Sequence, residues 1–399
     1  MIPDIREAYN RSFSEELYRL FLADVNNAYQ FPVSFRIAES PVFIPHQLKR
    51  HIFAACDEII DFITSYNIKT LCADAVPPHL NVPNEDEHTL FLGIDFAICR
   101  AESGELVPQL IELQGFPSLF AYQDFLTAKY RQHFTVPDNY THLFSGLTPE
   151  TYRERLKNIL LGNHQPENVI LLEVEPLKQN TAIDFIVTEH YTGIKPVCVT
   201  EVIRQGRKLF YLRNGVKTPI YRIYNRVIFD EFMQRTDLQC QFNLTEEVDV
   251  EWAGHPNWFL RISKFMMPFM KSVYIPQCTL LNDFTTFPPD LDNYVLKPLF
   301  SFSGSGVVFH PTQADIDAIP LEERKNYMLQ KKVKYEPVVQ APDGLVKTEI
   351  RIMYFWEPHL ARPEKVISLA RFSRADLIGV KYNKNKTWVG GSVALFPQD

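Results

Sequence analysis

Between Ser14 and Tyr29 the apolar residues Leu17, Leu20, Phe21, Val25 and Tyr29 recur every three or four positions. His46 to Tyr66 repeats the pattern with Ile52, Phe53, Cys56, Ile59, Ile60 and Phe62. That period predicts two amphipathic helices packed by their apolar stripes. After a loop marked by Pro77, Pro78 and Pro83 the period changes. LFLGIDFAI (Leu90 to Ile98) and LVPQLIEL (Leu106 to Leu113) are apolar runs joined through Ser103 and Gly104, which predicts a β-hairpin. Short apolar runs then stand at Asn168 to Val174, Pro196 to Val202 and Ile220 to Tyr224, with an amphipathic segment, Thr181 to Tyr191, between the first two. Strands alternating with helical segments predict a small α/β unit with parallel strands, bounded by a composition shift at residues 138–256. Helical spacing returns from Phe259 to Met270, extended character from Val273 to Leu280, and a further helix is predicted over Thr312 to Lys325. The chain closes on strands at Tyr327 to Val333, Thr348 to Phe355, Val366 to Phe372 and Trp388 to Phe396.

At 399 residues, mixed elements of this kind suit two or three domains of the α/β class with α+β elements. A hydrophobic content of 46% supplies a large core, to which Trp252, Trp258, Trp356 and Trp388 are assigned. The net charge of −7 lacks the broad basic surface that nucleic-acid phosphates select, so no nucleic-acid partner is expected. No run approaches the ~18 apolar residues of a bilayer span, and Asp4, Glu7, Glu15 and Glu16 interrupt the start; a cytoplasmic protein without membrane contact is expected. Cys56, Cys72, Cys99, Cys198, Cys240 and Cys278 are scattered as free thiols, and no His or Cys spacing supports a zinc site.

Two stretches carry chemistry. In YVLKPLFSFSGSGVVFH, Tyr294 to His310, a β-type run delivers Lys297; Ser301, Ser303, Gly304, Ser305 and Gly306 follow, and Val307 to Phe309 is a second β-type run. Glycines let backbone N–H groups converge on an anion and a preceding lysine adds a point charge, so the layout suits a phosphate clamp, although such residues more often make only a hairpin turn. In the earlier hairpin, Asp95 stands inside an apolar strand and Glu112 near the end of its partner, followed by Gln114. If these side chains share a face, two carboxylates and an amide oxygen meet, a hard-oxygen set that suits Mg²⁺. A solvated sheet face is the alternative; the apolar neighbours oppose it. Arg351, Arg371, Arg374, Lys381 and Lys384 on or near the late strands read, by themselves, as a solvated face. Tyr224, Asn225 and Arg226, at the end of the last strand of the α/β unit, either face a ligand or close a turn.

Together these segments resemble the ATP-grasp superfamily, most strongly over Ser263 to Phe396 and Leu92 to Phe120. Their order is that of its circularly permuted branch, which includes glutathionylspermidine synthase-like proteins: GIDF and LIELQGFPSLF, the family's last element, come first. The resemblance implies a circularly permuted ATP-grasp fold with a small Rossmann-like pre-ATP-grasp domain. Residues 1–137 would carry the metal-ligand strands, 138–256 the Rossmann-like domain, and 257–399 the lid (263–336) with the remaining core strands. It implies ATP-dependent joining of a carboxylate to an amine through an acylphosphate, with ATP and Mg²⁺ as cofactors and small-molecule or peptide carboxylates and amines as substrates. Lys264 and Lys297 resemble the phosphate-binding lysines, and the loop through Ser303, Gly304, Ser305 and Gly306 the cover of the β- and γ-phosphates. Gln330, Lys331 and Val333 resemble the strand that meets the adenine edge, and Glu336 the acid on the ribose. Asp95, Glu112 and Gln114 match the three magnesium-side ligands, with Gln114 standing where the family usually has Asn. Arg351, and Arg371 or Arg374, resemble the arginines that face the phosphate and acyl group. A phosphotransferase on the same scaffold, or a nucleotide-binding protein with a decayed site, are the alternatives.

Overall fold

A computed structural model describes residues 1–300, 306–375, 383 and 385–398. At its centre lies a six-stranded sheet drawn from two distant parts of the chain. Gly390–Ser392, Glu364–Ser373, Gly344–Phe355, Phe91–Arg100 and Leu106–Gln114 lie side by side, and Pro337–Ala341 also pairs with Gly344–Phe355. Every pairing is antiparallel. Ile94, Phe96, Ile350 and Ile352 alternate along the two central strands and are fully buried. They join one apolar cluster with Ile52, Ile59 and Ile63 of helix His46–Ser65 and Leu126 of helix Phe120–His133. The early helix forms as predicted, as Glu15–Asn27, with Ser14 accepting the Leu17 N–H at 3.1 Å and Tyr18, Phe21 and Val25 buried.

The α/β unit contains a parallel sheet ordered Glu251–Ala253, Arg222–Asn225, Val169–Glu173, Lys195–Cys198, and helix Ala182–Thr192 connects the last two. An antiparallel trio, Ile203–Gln205, Lys208–Arg213 and Val216–Ile220, precedes Arg222–Asn225. It turns at Asn214-Gly215, both at positive φ, the two-residue hairpin signal. Another small three-stranded sheet is antiparallel and ordered Cys278–Leu280, Tyr327–Lys331, Tyr294–Pro298. Leu281, Leu296, Ile316 and Leu329 make a private core for it, while Met328, Cys278 and Leu280 pack toward the main core.

Several predicted elements are shorter than their apolar patterns. Phe259 to Met270 is helix Asn257–Arg261 followed by a 3₁₀ turn, Lys264–Phe269; Ser263 accepts the Phe265 N–H at 3.2 Å and starts the new turn, and Pro268 has no N–H to extend it. Thr312 to Lys325 is likewise Gln313–Asp317 and a 3₁₀ turn, Leu321–Asn326, separated by Pro320. Of Val273 to Leu280 only Cys278–Leu280 is a strand, Pro196 to Val202 bends into a turn after Cys198, and Val307 to Phe309 contributes a single bridge between Val308 and Leu296. All four tryptophans are buried. Among the described residues no helix is long and apolar enough to cross a membrane.

Candidate active site

Residues directly opposite one another in an antiparallel pair share a sheet face. In the central sheet Arg351 stands opposite Asp95, Asp95 opposite Glu112, Gly93 opposite Gln114, and Glu349 between Ala97 and Arg371. Acids, amide and arginines from four strands therefore project from one face. A β-bulge makes this so. Phe96 pairs with Leu110, which leaves Ile111 as the extra residue; in a regular ladder Glu112 would share the face of Leu110 instead of that of Asp95.

Asp95 is fully buried. Arg351 donates to its two oxygens through Nε (2.5 Å) and Nη2 (2.7 Å), and Arg371 Nη2 donates to Oδ2 at 2.7 Å. Arg371 also pairs with Glu349, whose second oxygen accepts the Tyr335 hydroxyl at 2.9 Å. Burial pushes the Glu349 carboxyl up, and Arg371 opposes it. Burial works against the charge of Arg371, but Glu349, Asp95 and Glu112 outweigh it and hold the guanidinium above its ordinary value. Glu349 and Tyr335 did not stand out in the sequence. The available signal was the spacing of Glu349 two residues before Arg351, which puts both on one strand face.

Glu112 is looser. Its side chain is 29% exposed, its Oε1 lies 3.4 Å from Lys264 Nζ, and Gln114 Nε2 lies 3.2 Å from its Oε2 and 3.4 Å from Asp95 Oδ2. Close backbone packing brings Lys264 here. The Gly115 N–H donates to the Ile262 carbonyl at 2.7 Å, and a Cβ on Gly115 would stand 2.3 Å from the Trp258 carbonyl oxygen. Behind that contact, Arg261 binds Glu85 at 2.6 and 2.9 Å, and buried His255 donates from Nε2 to the Pro83 carbonyl at 3.0 Å while Nδ1 accepts the Asn257 N–H at 3.2 Å. Lys297, opposite Met328, lies on the face of the small sheet that looks to the main core. Burial pushes its ammonium down, with Glu112 opposing and Lys264 adding to the fall. A cleft between the sheets is lined by Glu112, Gln114, Phe116, Phe259, Lys264 and Phe300.

The other expected residues divide. Gln330 is buried on the Lys297 face of the small sheet, and its Oε1 has no hydrogen-bond partner among the described residues. The Lys331 N–H is bound to the Gln277 carbonyl at 2.8 Å and its side chain is exposed; Val333 follows the end of the strand. Glu336 pairs with Arg100 at 2.9 Å, at the far end of the Asp95 strand. Arg374 is held elsewhere, by Asp343 and by the Thr387 carbonyl at 3.1 Å, so it does not join Arg351 and Arg371. Gly306 is at φ +69°, where a side chain is strained; Ser303, Gly304 and Ser305 lie outside the described residues, as do Lys381 and Lys384.

Arg226 brings the α/β unit to the same place. Its Nη1 donates to the Pro117 carbonyl at 2.9 Å and its guanidinium lies 4.2 Å from the centre of the Phe116 ring. Arg226 Nε and Asn225 Nδ2 are buried without a partner among the described residues. Burial pushes nearby Glu173 up to about 8, against Arg226.

Among the described residues no group of three or more His, Cys, Asp or Glu side chains is placed to hold a metal. Glu112 and Gln114 beside Lys264 nevertheless have the chemistry for a divalent cation shared with phosphate oxygens, because Mg²⁺ takes one or two protein carboxylates and leaves its other positions to water and phosphate. No family model matches the chain and no curated protein matches it. Among solved structures, a glutathione synthetase-like effector from Globodera pallida, in its apo form, matches with a TM-score of 0.53 over 96% of this chain and 99% of its own, at 10% sequence identity. That likeness shows a shared mixed α/β fold.

Proposed function

We propose that the chain is an ATP- and Mg²⁺-dependent ligase of the circularly permuted ATP-grasp type, joining a carboxylate to an amine. One observation carries the reading: Lys264 stands 3.4 Å from Glu112 at a cleft that both line, and Lys297 lies on the face of the small sheet that looks to the same main core. Ammonium and guanidinium groups gathered from separate elements around this face suit a polyphosphate. The fold shared with a glutathione synthetase-like protein agrees with it.

Bound ATP would supply the phosphoryl group that activates the carboxylate. Glu112 and Gln114 would hold Mg²⁺, and Lys264 and Lys297 the phosphates. Arg351 and Arg371 present planar guanidinium groups to the acyl and phosphoryl oxygens. Arg226 and Asn225, with buried donors to spare at the C-terminal ends of parallel strands, hold a substrate carboxylate. Little covalent chemistry is asked of the protein: preorganised cations stabilise the transferring charge and positioning does the rest.

Release of ADP, measured against pools of amino acids, peptides and polyamines, tests this. Release that requires both a carboxylate and an amine supports ligation; a stable phosphorylated acceptor formed without an amine makes it a phosphotransferase. The tight pairing of Asp95 favours one second reading, a nucleotide-binding protein without turnover. Calorimetric Mg·ATP binding that vanishes in Lys297→Ala and Glu112→Ala, with no ADP release from any pool, would establish that instead.

A further inference from the structure

The two acids that face each other across the central hairpin are bound very differently. Asp95 has no exposed surface and receives charge-assisted bonds of 2.5, 2.7 and 2.7 Å from two arginines, one on Oδ1 and two on Oδ2. Glu112 keeps a quarter or more of its side chain in contact with solvent and has neighbours no nearer than 3.2 Å among the bonds that fix it. For Asp95 to ligate a cation it would have to loosen its two-pronged pairing with Arg351, a buried guanidinium, which is the costly way to break a buried pair, although Arg371 would keep Glu349. Glu112 needs only to turn away from Gln114 and Lys264. Arg371 completes the hub: it bridges Asp95 and Glu349, and its Nε is buried without a partner among the described residues.

Resting on the nucleotide-site reading above, we propose that Asp95 is a positioning residue and not a metal ligand: it holds Arg351 and Arg371 as a paired guanidinium surface, and the divalent cation belongs to Glu112 and Gln114. Two measurements test it on the full chain. Manganese bound with ATP is titrated by electron paramagnetic resonance in the wild type, Asp95→Asn and Glu112→Gln. The accessibility of Arg351 and Arg371 is followed, without nucleotide, by phenylglyoxal labelling and mass spectrometry. The expected result is manganese affinity in Asp95→Asn within about threefold of wild type, against a loss of roughly 10-fold or more in Glu112→Gln. Labelling of the two arginines in Asp95→Asn is expected to be several-fold faster than in the wild type. A manganese loss in Asp95→Asn as large as that in Glu112→Gln overturns the proposal, as does unchanged arginine labelling. Where Asp95→Asn does not fold, Asp95→Asn with Arg351→Met removes charge and counter-charge together and takes its place, labelling then being read at Arg371. A wild type that takes up no manganese with ATP sinks the nucleotide reading alone, and the labelling then decides whether Asp95 is the hub.

Discussion

Glu173 is 7% exposed at the end of its strand and accepts the Val174 N–H at 2.7 Å. Its folded carboxyl titrates at about 8, lifted by burial, whereas an unfolded one titrates near ~4.3. The folded state therefore binds the extra proton in this window, so stability is greatest below the unfolded value and falls as pH rises toward 8. Glu173→Gln keeps the acceptor and removes the dependence. Urea unfolding is expected to show it more stable than wild type by up to roughly 4 kcal/mol at pH 8, and level with it at pH 4. At this scale the sequence was most informative where a polar residue broke an apolar run, as with Asp95 and Lys297, because burial there demands a partner. It was silent on which partner. Arg351 belongs to Asp95 through strand pairing, Glu349 was hidden for the same reason, Tyr335 reaches Glu349 from the connection between two strands, and Arg374 looked equivalent to Arg371 until Asp343 was seen to hold it.

Helix Asn257–Arg261 is the element that delivers Lys264, and Gly115 is where it touches the floor. Gly115→Ala would drive a methyl into the Trp258 carbonyl and the Ile262 side chain, 2.9 Å away. A loss of ~1–3 kcal/mol in thermal or urea unfolding is expected, with nucleotide affinity falling further than stability accounts for, because Lys264 moves from Glu112. The same helix has an acid-sensitive anchor. Burial pushes His255 down to about 4, below the ~6.5 of an unfolded imidazole. Stability is thus complete above that unfolded value and lost as pH falls toward 4, where protonation removes the Nδ1 acceptor from the Asn257 N–H. Hydrogen exchange of the amides in 257–264 should quicken across that window, earlier than in the central strands; unchanged exchange would mean that the anchor lies elsewhere. Elements with a long apolar stripe, such as Glu15–Asn27 and His46–Ser65, were legible because their packing faces repeat over several turns. Short ones were not: a single proline or a serine cap outweighed the stripe at Pro268, Pro320 and Ser263, and the bulge at Ile111 leaves no mark in the pattern of residue types.

For the molecule as a whole, the small sheet with its private core meets the central sheet at the cleft lined by Lys264, Glu112 and Phe300. A ligand that touches both should tie them together. Mg·ATP at about 100 times its Kd is expected to add ~2.7 kcal/mol to apparent stability and to slow proteolysis within residues 278–331; equal digestion with and without nucleotide would argue against binding between the sheets. The parallel character of the α/β unit and the hairpin that bears Asp95 and Glu112 could be read from alternation and run length. That the hairpin is completed by strands from the other side of the α/β unit was implied only by the family resemblance, since nothing local records a partner so remote.

That remoteness has a consequence for how the chain is made. Asp95 and Arg351 are 256 residues apart, and the strands that carry them are neighbours in the sheet. During synthesis the hairpin Phe91–Arg100 with Leu106–Gln114 leaves the ribosome long before Gly344–Phe355 exists, with an apolar open edge and a carboxylate that has no counter-ion. Closing so long a loop is entropically late and slow, and an unpaired apolar edge invites association meanwhile. Nascent chains stalled before residue 344 should therefore be protease-sensitive through 91–114 and bound by chaperones, and the arrival of one strand, the one bearing Glu349 and Arg351, should be the step at which translation yields a folded protein.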